Sequence, residues 1–155
     1  QEKKRQEDKW SSIMNMKGKE NPYLLHKELG DIMTQNVTVI RYNDRLAETD
    51  KKIQELMERW HDINLIDEVN WSNQSAVFTR QLWDMLEMAR VITLGALRRN
   101  ESRGAHYKPE FPERDDENWL KTTIATWTES GPEFSYEPVD VSLIPPRPRR
   151  YDVDK

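Results

Sequence analysis

The sequence predicts a mainly α fold: an antiparallel bundle of three to four helices, then a small β-hairpin and an irregular proline-rich tail. Three observations predict it. Apolar side chains recur at steps of three and four through segments lying between residues 21 and 100. Seven of the eight prolines come after Gly104, where they forbid long helices. Two β-rich runs, KTTIATWTE and EFSYEPV, are separated by Ser130-Gly131-Pro132, a turn signature.

Residues 1–20 read as a charged N-terminal arm or helix, with Trp10, Ile13 and Met14 on one face and Gly18 as a stop. Residues 21–100 read as the bundle. Asn21-Pro22 opens a helix, because Asn accepts from free amides and Pro suits the first turn. Leu25, Leu29, Ile32, Met33 and Val37 carry that helix to about Val39. Gly30 in its middle costs about 1 kcal/mol against alanine, which predicts close packing on a neighbour. A further helix begins after Tyr42, where Asn43 and Asp44 can cap, and its stripe is Leu46, Ile53, Met57 and Trp60. Glu48 with Lys52 and Glu55 with Arg59 are spaced for ion pairs along it.

HDINLIDEVNWSNQS is a polar connector with two small apolar clusters. The helix from Ala76 to about Arg99 is then the centre of the bundle. Phe78, Leu82, Met85, Ala89, Ile92 and Ala96 form a seam, and Leu86, Leu94 and Leu97 give a second apolar face. Such a helix is expected to be covered on two sides. Arg98 and Arg99 suit the negative end of its dipole. Residues 101–155 read as a loop, the hairpin and a proline-arginine tail.

Composition narrows the chemistry. Charged residues make up 34% of the 155 and hydrophobic ones 35%, so the core must come from a few dense segments. Six tryptophans argue for folding, since disordered chains are poor in aromatics. A net charge of -4 with interleaved signs offers no basic field for nucleic acid. There is no cysteine, which removes disulfides, Cys-ligated metals and thiol catalysis. No apolar run reaches the length of a membrane span. The opening QEKKRQEDKW resembles neither a start nor a signal peptide and reads as the edge of a longer chain.

Catalytic and cofactor signatures are few. The five glycines form no G-x-G-x-x-G or P-loop cradle, so no bound cofactor is expected on this segment. His26, His61 and His106 are not paired at metal-ligand spacing, and no metal is expected. His26 and His61 read as solvated helix positions. Asp67-Glu68 and Asp115-Asp116 are neighbours in loops, not the opposed pair that hydrolysis needs. No serine sits in a nucleophile elbow. Arg147, Arg149 and Arg150 read as a solvated tail. No catalytic residue is expected.

One stretch is denser in chemistry than the rest: ESRGAHYKPEFPERDDENWL, residues 101–120. Gly104 can turn the chain at positive φ after the long helix. Arg103, His106 and Arg114 would stand near that helix end beside Glu101, Asp115 and Asp116. The residues alone support two readings equally, a salt-bridged helix-exit loop or a polar docking face with arginine forks.

The same stretch resembles the C-terminal signature of succinate dehydrogenase and fumarate reductase flavoprotein subunits, where E-S-R-G-A-H is followed by F-P-x-R-D-D-x-x-W-L. TQNVTVIRYNDRL is similar to a helix exit of that family, and LIPPRPRRYDV to the tail of its Gram-positive, menaquinone-linked members. Thr122 departs from the pattern, since many members carry histidine there.

The resemblance implies a non-catalytic C-terminal domain. The parent would oxidise succinate to fumarate on covalent FAD held upstream, and pass electrons through an iron–sulfur subunit to a quinone. Glu101, Ser102, Arg103, Gly104, His106, Arg114 and Asp115 would then be interdomain docking residues. The partners implied are the flavin-binding domain and the iron–sulfur subunit, at the cytoplasmic face of the cell membrane. Alone, the segment would be inactive and open to non-physiological self-association. A free-standing helical adaptor and the corresponding region of L-aspartate oxidase are the alternatives.

Overall fold

The computed structural model describes residues 1–147; Arg149 and Arg150 and the end of the tail lie outside them. The chain divides after Arg114 into two compact units. The first holds four main helices, α1 (Glu2–Met14), α2 (Pro22–Asn36), α3 (Asn43–Trp60) and α4 (Gln74–Arg98). The second holds a single turn, α5 (Asp116–Trp119), and the strands β1 (Lys121–Thr126) and β2 (Glu133–Pro138). The mainly helical expectation with a terminal hairpin is borne out.

Local chemistry sets the helix ends. Asn21 accepts from the amides of Tyr23 and Leu24, with Pro22 in the first turn. α2 stops at Asn36, three residues earlier than its apolar spacing suggested, because Val37-Thr38-Val39-Ile40 is a β-branched run that crowds a helix. α4 begins at Gln74, where the buried Asn73 accepts from the amide of Ala76 at 2.8 Å.

The core joins all four helices. Ile13, Leu25, Ile53, Leu56, Ile63, Leu82 and Leu86 are fully or almost fully buried in one cluster, and each such side chain contributes about 1.5–3 kcal/mol. The charged arm is therefore anchored by its end: Ile13 and Met16 belong to this core. Trp60 packs on it and donates its indole N–H to the Thr79 carbonyl at 2.8 Å. A second cluster of Val37, Leu46 and Ala96 closes the far end of the bundle.

Several packing expectations are corrected. The buried seam of α4 runs through Thr79, Leu82, Leu86, Ala89, Thr93 and Ala96, so two threonines replace the apolar residues that periodicity favoured. Met85 and Ile92 are exposed. Within this chain α4 packs against α1, α2 and α3, with Leu86 of its second apolar face buried and Leu94 and Leu97 half-buried. Gly30 has open space around the place of a Cβ, so close packing does not explain it. Gly18 is the tightly packed glycine: a Cβ there would stand 1.9 Å from the Asp62 carbonyl oxygen. Glu48 pairs with Lys51, and Arg59 turns away from its own helix to Glu20 and Glu28. A planar fork on Glu20 holds it better than a single contact four residues back.

In the second unit β1 and β2 pair antiparallel, with Thr122 opposite Glu137 and Ile124 opposite Ser135. The turn closes through Thr128, whose hydroxyl donates to the Gly131 carbonyl, with Gly131 at φ 121°. Lys121 lies over the rings of Trp119 and Tyr136, 4.7 and 4.3 Å from their centroids. None of the described residues of this unit is buried.

Candidate functional site

The loop after α4 is a knot of polar contacts that joins three helix ends. Its first turn is Arg103-Gly104-Ala105-His106, where the amide of Arg103 donates to the His106 carbonyl at 2.8 Å and the amide of His106 returns the bond at 3.0 Å. Gly104 holds φ +59°, a backbone state that costs a side-chain-bearing residue about 1 kcal/mol.

Glu101 is buried, and its carboxylate accepts from two arginines. Arg103 forks onto it, Nε at 2.8 Å and Nη2 at 2.9 Å, and Arg99 donates from the other side. A buried carboxylate is tolerable only when so paired. Ser102 ties the loop to itself: its hydroxyl donates to the Phe111 carbonyl at 2.8 Å and accepts from the Lys108 amide at 2.9 Å.

His106 bridges two helix ends. Nε2 donates to the Arg99 carbonyl at 2.9 Å, just past the end of α4, and Nδ1 faces Arg41 Nη1 at 2.6 Å. With Nδ1 accepting from a guanidinium the ring is neutral and the proton sits on Nε2. Burial, then the charges of Arg41, Lys108 and Arg99 against the opposing hydrogen bond to the Arg99 carbonyl, hold its pKa below the ordinary value. Arg41 in turn closes α2, donating to the Val37 and Thr38 carbonyls.

Lys108 is the most unexpected member. It is fully buried with no carboxylate in its hydrogen-bond set; its ammonium donates to Asn43 Oδ1 at 2.6 Å, the Leu97 carbonyl at 2.9 Å and Asn100 Oδ1 at 3.1 Å. Three acceptors match three donors. Burial pushes its pKa down to about 8, so the charged form still prevails at neutral pH. Glu110 completes the knot by accepting from the Asn43 amide at the start of α3.

Of the residues singled out by sequence, Glu101, Ser102, Arg103, Gly104 and His106 come together in this loop. Arg114 ends the first unit, and Asp115 caps α5, its carboxylate held below the ordinary range by the hydrogen bonds from Asn118. Asn43 reads in the sequence as a helix cap, but Tyr42 holds that place and the Asn43 side chain accepts from Lys108 instead. Nothing in the local sequence marks Arg41, Asn100, Lys108 or Glu110, because the contacts of the knot reach up to 67 residues along the chain.

Both nitrogens of His106 and both oxygens of Glu101 are engaged internally, so the geometry is that of a clamp. His26 is exposed on α2, as expected, while His61 is exposed but lies in the turn that caps α3, not on a helix; each is edge-on to an aromatic ring. Among the described residues there is no group of three or more histidines or acids that could hold a metal. Neither strand among the described residues runs through a glycine-rich turn into a helix. No described helix is long and apolar enough to cross a membrane.

The fold and the loop define a helical module with a charge-stapled helix exit. Residues 26–151 match a family profile described as the fumarate reductase flavoprotein C-terminus, and the chain belongs to that family, shared by succinate dehydrogenase and fumarate reductase flavoprotein subunits. It is 62% identical to the succinate dehydrogenase flavoprotein subunit of Bacillus subtilis over 98% of this chain and 26% of that protein. It is 36% identical to the fumarate reductase flavoprotein subunit of Helicobacter pylori over 89% of this chain and 20% of that protein. A chain of E. coli quinol fumarate reductase superposes with a TM-score of 0.86 at 30% identity, over 92% of this chain and 25% of that one. The chain thus spans about a quarter of the length of the relatives it matches.

Proposed function

We propose that this chain is the non-catalytic C-terminal domain of a succinate dehydrogenase flavoprotein, bracing the flavin-binding domain and the assembly of the subunit. The observation that carries the reading is its 62% identity, across 154 residues, to a succinate dehydrogenase flavoprotein subunit. In this reading the parent oxidises succinate to fumarate, FAD is held by polypeptide outside this segment, and electrons leave through an iron–sulfur subunit to a quinone. The subunit sits at the cytoplasmic face of the membrane.

In this reading Glu101, Ser102, Arg103, Gly104, His106, Arg114 and Asp115 are the interdomain docking residues. What supports it is that the enclosed Glu101, held by Arg103, fixes the backbone beneath an exposed tip at Gly104 and Ala105. A brace needs a rigid backbone, and the clamp supplies one.

The test is a denaturing gel of source-cell membranes, blotted with antibody to this chain and imaged for flavin fluorescence. A fluorescent band far heavier than 18.5 kDa is the expected result. A non-fluorescent band near 18.5 kDa would favour an adaptor that works alone.

A further inference from the structure

Within the knot, His106 differs from its charged neighbours in working only when neutral. Its Nδ1 accepts from Arg41 Nη1 at 2.6 Å, and its Nε2 donates to the Arg99 carbonyl at 2.9 Å. A second proton on the ring must go to Nδ1, where it would face the N–H of a guanidinium that never gives up its charge. The surrounding charges give that proton no help. Arg99, Lys108 and Arg103 are cations, Glu101 is taken by Arg99 and Arg103, and Glu110 is turned to the Asn43 amide. The two sides of the ring therefore respond differently to acid. Nε2 is a donor in both forms and keeps the Arg99 carbonyl, while Nδ1 loses Arg41.

We propose that His106 is an acid-operated latch: its neutral ring ties the segment leaving α2 to the loop leaving α4, and its protonation releases that segment while the loop keeps its hold on α3 and α4. Besides the latch, the segment is tied to the loop by a short parallel bridge. The Arg41 amide donates to the Tyr107 carbonyl at 2.9 Å, and the Tyr107 amide donates to the Val39 carbonyl at 3.1 Å. Val39 and Ile40 are more than half exposed, so little burial supports this bridge and the Arg41–His106 contact is what reinforces it. The other ties of the loop do not loosen in acid. Ser102 bonds through a neutral hydroxyl, and Glu101 is held by two arginines. Lys108, with its pKa at about 8, becomes more fully charged as the pH falls and holds the Leu97 carbonyl and Asn43 more firmly. Acid thus undoes one tie and secures another. Because burial and the neighbouring cations keep the folded pKa of His106 below 6.5, release begins under that pH. This is a local opening at the exit of α2, distinct from a general loss of stability.

Hydrogen exchange read by mass spectrometry, on the intact polypeptide that carries this chain, tests the latch between pH 7 and pH 5. After correction for the intrinsic pH dependence of exchange, peptides covering residues 39–42 and 106–108 should exchange faster as the pH falls below 6.5, by up to about tenfold per pH unit. A peptide from the buried seam of α4 reports global opening and should stay about tenfold slower or more throughout. His106→Gln keeps a neutral donor and acceptor and should abolish the rise. Arg41→Gln removes the cation that opposes the proton and should blunt it. No rise in the unmodified protein overturns the latch, and so does a seam that exchanges as fast as residues 39–42. Both of these are read without a variant and stand if neither substitution folds. A rise of the same size in either folded variant also overturns the latch, by assigning the acid response to another group.

Discussion

The ammonium of Lys108 donates to the main-chain carbonyl of Leu97 at 2.9 Å, closing the C-terminus of α4 with a cation from eleven residues downstream. The same group reaches Asn43 in the first turn of α3. One buried charge therefore fixes the exit of one helix against the entrance of another. A cation is suited to the first site by the helix dipole, and burial makes its loss expensive.

Lys108→Met keeps much of the side-chain volume and removes the donors. It leaves the Leu97 carbonyl and two amide oxygens facing an apolar group, and should destabilise the first unit by about 2–4 kcal/mol. Native-state hydrogen exchange would show this as faster exchange at the last turn of α4. Unchanged protection there would mean that the ammonium is not what holds the helix end.

His106 makes the fold sensitive to acid. Its folded pKa lies below the ordinary 6.5, so just under pH 6.5 the unfolded chain binds more protons than the folded one. The stability it contributes is present above that pH and is lost as the pH falls through the folded value. Protonation would also place a cation against Arg41 at 2.6 Å. Urea midpoints measured from pH 7 down to pH 5 should decline, and His106→Gln should flatten the decline. A variant with the same slope as the parent would assign the acid sensitivity to other groups.

Gly18, between α1 and α2, and Gly30, within α2, should respond in opposite directions. Gly18→Ala forces a methyl into the Asp62 carbonyl, against which the amides of Lys19 and Glu20 are also bonded, and should cost about 2 kcal/mol or more. Gly30→Ala adds a methyl to open space in mid-helix and should stabilise by about 1 kcal/mol. Thermal melts of the two variants decide this. Destabilisation by Gly30→Ala in a full-length subunit alone would indicate that another backbone lies close to α2 there.

Much of this architecture was legible in the sequence because it is local. Asn21-Pro22 announces α2 by its own hydrogen-bonding chemistry, and the glycine and proline between the β-rich runs announce the hairpin. The faces of α4 were not legible. Periodicity marked Met85 and Ile92 as apolar correctly, but it cannot say which apolar face this chain covers. Thr79 and Thr93 sit on the covered face, where Thr93 satisfies its hydroxyl on the Ala89 carbonyl, and a threonine at a helical step reads as polar. In the loop, the unusual density of E-S-R-G-A-H drew attention to Glu101, Arg103 and His106. Lys108 and Arg41 did not stand out, because a lysine or arginine in a polar stretch looks like any solvated one until the fold brings its acceptors together.

The central claim is that the loop holds structure and does no chemistry, and Arg103→Ala in the full-length subunit tests it most directly. The variant removes the fork onto Glu101 and leaves every other loop residue in place. Covalent flavin per subunit and turnover per bound flavin are measured on the same preparation. The account predicts a lower flavin content with turnover per flavin unchanged. Full flavin content with turnover selectively lost would contradict it, and would place Arg103 in the reaction itself.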